Sequence, residues 1–221
     1  MTNALDIRPM PAPVDTGLLV RIAQVPTSTI GHWRLWGFCR SDLHPLVRGP
    51  AVAGTAVTLA LPGPDGALLH HALGLLRPGD ILAIDRLGDD VHACVGGIVA
   101  RAAKARGAAA ILVDGPVTDT AELRDIDLPI WCRGTSARTT RRLGLGGRLN
   151  APISVGGAVI APGDILLCDA DGILCLPAGE AEAEIARAAA HEARETAIVV
   201  ALGKGQALEN ILAPPPLGQN R

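Results

Sequence analysis

The chain has 221 residues, of which hydrophobic types make up 48% and aromatics 2%, so one large domain or two small ones would hold a core of Ala, Val, Ile and Leu. A formal net charge of −2, without an unbroken basic run or aromatic stacking platforms, argues against nucleic acid as the main partner. No stretch reaches the roughly 18 apolar residues of a membrane span, and no charged segment leads into a long apolar one at the N-terminus, so the expectation is a cytoplasmic protein with no membrane partner. The five cysteines, Cys39, Cys94, Cys132, Cys168 and Cys175, are odd in number and lack a CxxC pair. They read as small core residues in a reducing compartment, not as a disulfide framework or zinc knuckle.

In chain order, residues 1–16 are rich in proline and polar types and read as a flexible N-terminal arm. A short helical turn is expected over 17–24. A loop with capping residues follows at 26–29, then a short helix over 30–39 carrying Trp33 and Trp36 on one face. His32 and His44 lie near this helix and read as packing or surface residues before ligands. Residues 52–61 form a strand, 62–66 a turn, and 67–76 a helix with an apolar stripe. His70 and His71 are adjacent and point to different faces, so a regular helix would not bring both to one ion.

The segment Pro78-Gly79-Asp80-Ile81-Leu82 recurs as Pro162-Gly163-Asp164-Ile165-Leu166. Each copy reads as a turn feeding a buried strand, with the aspartate bonded to turn amides and not used in chemistry. Further on, 98–106 is a helix, 109–113 a strand, 122–124 a helical turn and 128–132 a strand ending in Arg133. Arg138, Arg141, Arg142 and Arg148 belong to a solvated loop or subunit contact. Residues 150–160 and 165–176 read as strands, with a hairpin turn at Val155-Gly156-Gly157-Ala158. A long Ala/Glu/Arg helix covers 178–200, and Pro214-Pro215-Pro216 lies in a tail over 203–221. No linker divides the middle, so one domain spans 17–202.

Residues 96–120 combine a glycine pair, an alanine-rich helix, a buried strand and a polar loop. That order sets a helix N-terminus near the C-terminal end of a strand. Free N–H groups and the helix dipole favour an anion there, and the loop adds two carboxylates, Asp114 and Asp119. The pattern suits a small acidic substrate beside a divalent metal; the plainer alternative is a solvated Asp/Gly turn.

Taken together, Gly54-Thr55-Ala56-Val57-Thr58, Arg77-Pro78-Gly79-Asp80, Gly96-Gly97, Val113-Asp114-Gly115-Pro116-Val117-Thr118-Asp119, Arg133-Gly134-Thr135 and Asp169-Ala170-Asp171-Gly172 occur in an order that resembles the RraA-like family. That family includes 4-hydroxy-4-methyl-2-oxoglutarate aldolases, oxaloacetate decarboxylases and regulators of ribonuclease activity. The resemblance covers roughly residues 17 to 200. It implies an α/β fold of the swivelling β/β/α type, a single domain with a central mixed sheet and flanking helices, assembled as homotrimers or homohexamers with sites at subunit interfaces. It also implies Mg²⁺ or Mn²⁺ at Asp119, and a substrate carboxylate held by the amides of Ile98 and Val99; the substrate site is expected at Gly96, Gly97, Ile98, Val99 and Thr118, with Thr118 and Arg133 lining the pocket.

Two positions depart from the family pattern. The arginine of the family's Arg-Asp pair is Thr118 here, and the acid that follows the first helix-start glycine is Gly97. Replacement groups could come from Arg101, Arg133, His92, or Glu192 and Glu195 of a neighbour. The expected function is a metal-dependent C–C lyase (EC 4.1 type, aldolase or decarboxylase) on a small oxo-acid, with Asp119, Thr118 and Arg133 as catalytic residues. The alternatives are a non-catalytic regulatory or binding protein, or a different reaction on the same scaffold.

Overall fold

The computed structural model describes residues 5–46 and 49–212. The first part of the chain contains β1 (Leu5–Ile7), α1 (Thr16–Ile22), α2 (Thr27–Gly31), β2 (His44–Pro45), β3 (Val52–Ala60), α3 (Ala67–Leu75) and β4 (Asp80–Asp85). The middle contains α4 (Gly97–Ala105), β5 (Ala110–Asp114), β6 (Pro116–Val117), α5 (Thr120–Asp125), β7 (Ile130–Cys132) and β8 (Gly134–Thr135). The last part contains β9 (Gly147–Leu149), β10 (Ile153–Val155), β11 (Ala158–Ile160), β12 (Ile165–Cys168), β13 (Ile173–Leu176), α6 (Ala181–Gly203) and α7 (Leu208–Leu212).

The main sheet runs β1-β9-β3-β4-β5-β7-β2, with β12 also on β3 and β13 on β12. Strands β3, β4, β5 and β7 are parallel neighbours, while β9 and β12 are antiparallel to β3. The result is a mixed sheet with flanking helices in a single α/β domain, as the sequence implied. The parallel strands are buried along nearly their whole length and read as Val/Ile/Leu/Ala runs, as strands covered on both faces must. Helices α3 and α4 are the crossovers β3-α3-β4 and β4-α4-β5. In such a unit the helix that follows a strand starts near that strand's C-terminal end. Small residues line the buried side of α4, at Gly97, Ala100 and Ala103, which lets the helix lie close to the sheet.

The two Pro-Gly-Asp segments behave alike. Asp80 Oδ2 accepts from Arg77 N–H at 2.8 Å, and Asp164 Oδ2 accepts from Ala161 N–H at 2.8 Å. Strands β4 and β12 then flank β3 on its two sides, opposite Thr55 in both pairings. Both aspartates are turn locks. The hairpin β10–β11 turns at Gly156 and Gly157, and the cysteines are unpaired, with all but Cys39 buried.

Three expectations are corrected. Residues 5–16 are not a loose arm: β1 pairs in parallel with β9, Arg77 Nη1 bonds Pro11 O at 2.9 Å, and Val14 N–H bonds Thr55 Oγ1 at 3.0 Å. The helix expected over 30–39 lies earlier, at α2, and ends at His32. Its start is fixed from outside, because Asp169 accepts from both the N–H and the hydroxyl of Thr27 at 2.7 Å, and Gly37 (φ +87°) bends the chain away. Residues 208–212 of the expected tail are helical; its proline run lies outside the described residues, as do residues 1–4. No helix among the described residues is long and apolar enough to cross a membrane.

Candidate functional site

Helix α4 begins at the glycine pair. Gly96 is extended (φ −139°, ψ −169°) and has no side chain with which to cap the helix. The first internal backbone bond runs from Ala100 N–H to Gly96 O at 3.0 Å. Among the described residues, the N–H groups of Ile98 and Val99 make no hydrogen bond to a protein acceptor. Two donors and the positive end of the helix therefore face outward, the arrangement that holds a carboxylate or phosphate. The Ile98 side chain is 81% exposed.

Asp119 caps this helix from a different part of the chain. Its Oδ2 accepts from Gly97 N–H at 3.0 Å. Asp119 is also the N-cap residue of α5, yet it makes no cap bond there. The cause is its backbone: φ 53° and ψ 40° place it in the left-handed region, which costs a non-glycine residue on the order of 1 kcal/mol. That turn carries the carboxylate back to α4. Only glycine allows the approach, since a Cβ at Gly96 would lie 2.5 Å from Asp119 Oδ2 and 2.9 Å from Thr118 Cγ2. Thr118 N–H bonds Val95 O at 2.9 Å and ties the loop to the segment entering α4. The structure thus brings Gly96, Gly97, Ile98, Val99, Thr118 and Asp119 together.

Arg133 is placed differently. Its guanidinium pairs with Asp114 and Asp42, and these carboxylates hold its pKa above the ordinary arginine value against the opposing effect of burial. Asp114 also accepts from Gly156 N–H at 2.8 Å, so it anchors the β10–β11 hairpin. Arg133 lines a cavity of about 330 Å³ with Arg40, Gly88, Asp89, Asp90 and Asp114. Its charge is used within that cluster. His92 is likewise bonded to Asp89, at 3.0 Å.

Sequence reasoning missed Glu122. A Cβ built at Gly97 would collide with the Glu122 carboxylate, so this side chain fills the space that a side chain at position 97 would take. Arg101 Nε donates to Glu122 Oε1 at 2.8 Å, leaving Oε2 toward Gly97. The available signal was spacing: Glu122 stands three residues after Asp119, one helical turn along, and Arg101 stands four after Gly97, on the same side of α4.

A family model for RraA-like proteins, described as Aldolase/RraA, matches residues 33–175. The chain belongs to the RraA-like family. A relative from Halalkalibacterium halodurans, provisionally named a 4-hydroxy-4-methyl-2-oxoglutarate aldolase, is 37% identical over 162 residues, covering 72% of this chain and 77% of its own. Among solved structures, Streptomyces coelicolor RraAS2, described as an unusual member of the RNase ES inhibitor RraA family, superposes with a TM-score of 0.75 at 28% identity, covering 86% of this chain and 97% of its own. The RNA-processing inhibitor RraA from Thermus thermophilis gives a TM-score of 0.62 at 29% identity, covering 68% and 91%.

The donor set of this RraA-like chain fits the Mg²⁺ or Mn²⁺ that the family implies. Oδ1 of Asp119 and Oε2 of Glu122 take no protein hydrogen bond among the described residues. Hard divalent ions of this kind keep most of their water and need only one or two carboxylates.

Proposed function

We propose that this chain is a divalent-metal-dependent lyase that breaks a carbon–carbon bond in a small 2-oxo acid, of the aldolase or decarboxylase type. The observation that carries the reading is the meeting of Asp119 with the open N-terminus of α4, which sets a carboxylate beside two free backbone donors. The name of the Halalkalibacterium relative supports the reaction class.

In this reading the N–H groups of Ile98 and Val99 bind the substrate carboxylate. Asp119 would hold Mg²⁺ or Mn²⁺, which when bound would supply Lewis acidity for developing negative charge. The electron pair of the broken bond passes into the 2-oxo fragment as an enolate, while the other fragment leaves as carbon dioxide or, its hydroxyl having given its proton to water, as a carbonyl compound; the enolate is then protonated at carbon. Glu122, fixed through Oε1 by Arg101, takes the place of the missing acid at position 97 and orients the water that carries this proton. Thr118 contributes a hydroxyl where the family carries a guanidinium, so charge neutralisation rests more heavily on the ion. The site lies open to one side, with Asp119 and Ile98 exposed, and we take it to be completed by a second copy in a trimer or hexamer.

The test is pyruvate release from oxaloacetate and from 4-hydroxy-2-oxo dicarboxylates, with and without Mg²⁺. The expected result is Mg²⁺-dependent turnover that falls on the order of a hundredfold or more in Asp119→Ala. Equal inactivity of both proteins across the panel removes the lyase reading. The second reading, a non-catalytic regulator that binds another protein, is favoured by Thr118 in place of the arginine and by the inhibitor names of the two structural relatives. It predicts that Asp119→Ala changes neither partner binding nor the response of thermal stability to Mg²⁺.

A further inference from the structure

A second group of ligand-type side chains lies on the opposite part of the chain's order, between α2 and the middle of α6. His32 is the C-cap residue of α2, and His191 and Glu195 are one turn apart on α6. Their rings stack with centroids 4.5 Å apart in the case of the two histidines. His32 Nε2 and His191 Nδ1 each lie 3.8 Å from the same atom, Glu195 Oε1, and the three ligand atoms all fall within 4.8 Å of one another.

These distances are too long for hydrogen bonds, and His191 Nδ1 is buried with no hydrogen-bond partner among the described residues. A buried polar atom left in that state costs on the order of 1–3 kcal/mol, so a partner at this nitrogen, ion or water, is favoured. Trp33 closes one side: its ring tilts against His191 at 5.6 Å, and its Nε1 is engaged by Glu184 at 2.7 Å. The indole therefore does not satisfy the imidazole nitrogen.

We infer that His32, His191 and Glu195 form a binding site for a borderline divalent transition ion, zinc foremost. Two imidazole nitrogens and one carboxylate oxygen are the donors zinc takes in three-ligand sites with water in the fourth position, and imidazole disfavours Mg²⁺ and Ca²⁺. Ligand atoms around a tetrahedral zinc stand about 3.3 Å apart, given bonds of about 2.0–2.1 Å. Closure thus needs each histidine to approach Glu195 by about 0.5 Å, and the rings to turn out of their stack so that the ion lies in both planes. His32, in the exposed segment after α2, has the freedom to do this.

The ion would act as a staple. Helix α6 runs for 23 residues but buries only Ala181 and Ala188. Its first turns are tied down by Arg21–Glu182, and by Arg34 with Glu180 and Glu184. Beyond residue 188 the packing thins, and His191 and Glu195 stand where a cross-link to α2 would extend the anchored portion by two turns.

The experiment uses the full chain, freed of metal by chelator and titrated with ZnCl₂ under calorimetry and thermal denaturation, with Co²⁺ as the visible-absorption probe. Expected are one zinc per chain, a higher melting temperature, and a Co²⁺ spectrum of low-symmetry, imidazole-containing type. His32→Ala, His191→Ala and Glu195→Gln each weaken zinc on the order of tenfold or more, while His71→Ala, at an exposed histidine of α3, leaves zinc affinity at this site unchanged. Absence of zinc binding to the wild type overturns the site. So does zinc binding that survives all three substitutions, and circular dichroism on each variant separates lost ligation from lost folding.

Discussion

Asp119 Oδ2 accepts a hydrogen bond from Gly97 N–H at 3.0 Å, across 22 residues of sequence. A carboxylate placed this way neutralises the start of α4 in part while leaving the N–H groups of Ile98 and Val99 free. The strain of its left-handed backbone is retained although Asp119 could have capped α5 from a relaxed conformation. That geometry makes Gly96 and Gly97, the N-cap and first residue of α4, the positions most sensitive to an added side chain.

Gly96→Ala forces the issue. The added Cβ would lie 2.5 Å from Asp119 Oδ2, so the carboxylate must move and the bond to Gly97 is lost. The expected cost is about 1–3 kcal/mol in urea unfolding, together with loss of any Mg²⁺-dependent rise in melting temperature. Gly74→Ala is the matched control. It sits in α3 with nothing within 4 Å of its added Cβ, so it should stabilise by about 0.5–1 kcal/mol and leave the Mg²⁺ response alone.

Thr118→Arg restores the charge that the family carries at this position. Thr118 is half-buried and its Cγ2 faces Gly96, so the longer side chain would run outward past Asp119. If the threonine only weakens a lyase, kcat/KM for oxaloacetate rises by about ten- to a hundredfold, the worth of one charge-assisted contact to developing negative charge. A fall instead shows that the pocket uses the threonine hydroxyl for a different substrate.

Local chemistry was legible in the sequence, and long-range chemistry was not. The twin Pro-Gly-Asp turns and the glycine-led helix α4 are set within four or five residues, so pattern alone located them. The closeness of Asp119 to the start of α4 was also legible, because a helix led by glycines and the loop after the next strand meet at one end of the sheet. The strand β1 was not, because Leu5–Ile7 becomes a strand only when β9 supplies a partner 142 positions later. The start of α2 depends in the same way on Asp169. Glu122 was hidden for a related reason: its meaning lies in the empty side-chain space at Gly97, which exists only once α4 and α5 have packed.

Asp65 is expected to contribute to the acid limb of stability. It is fully buried and bonds Ala67, Leu143 and Leu145 N–H at 2.9, 3.0 and 2.6 Å. Burial alone would push its carboxyl up, but these amides, with Gly144, outweigh burial and hold the pKa below its ordinary value. A depressed folded pKa stabilises the native state above the unfolded pKa of about 3.9, and that contribution is lost as pH falls through the lower folded value. Asp65→Asn should therefore cost about 2–3 kcal/mol at pH 7, with the gap to wild type narrowing below about pH 4. A gap that stays constant down to the acid transition would show that packing, not ionisation, sets the cost.

The cysteines set the last expectation. Burial first, and then the Asp114 carboxylate, push the Cys39 thiol up to about 12, and burial pushes Cys94 up to about 11. Cys39 is the one cysteine that is not fully buried, and its Sγ donates to Val155 O at 3.3 Å. At pH 8 its thiolate fraction is on the order of one in ten thousand. Native protein should react with a disulfide reagent far more slowly than a free thiol, and all five cysteines should react at once in urea. Rapid labelling of a single native thiol, traced to Cys39, would mean that the loop carrying it opens in solution.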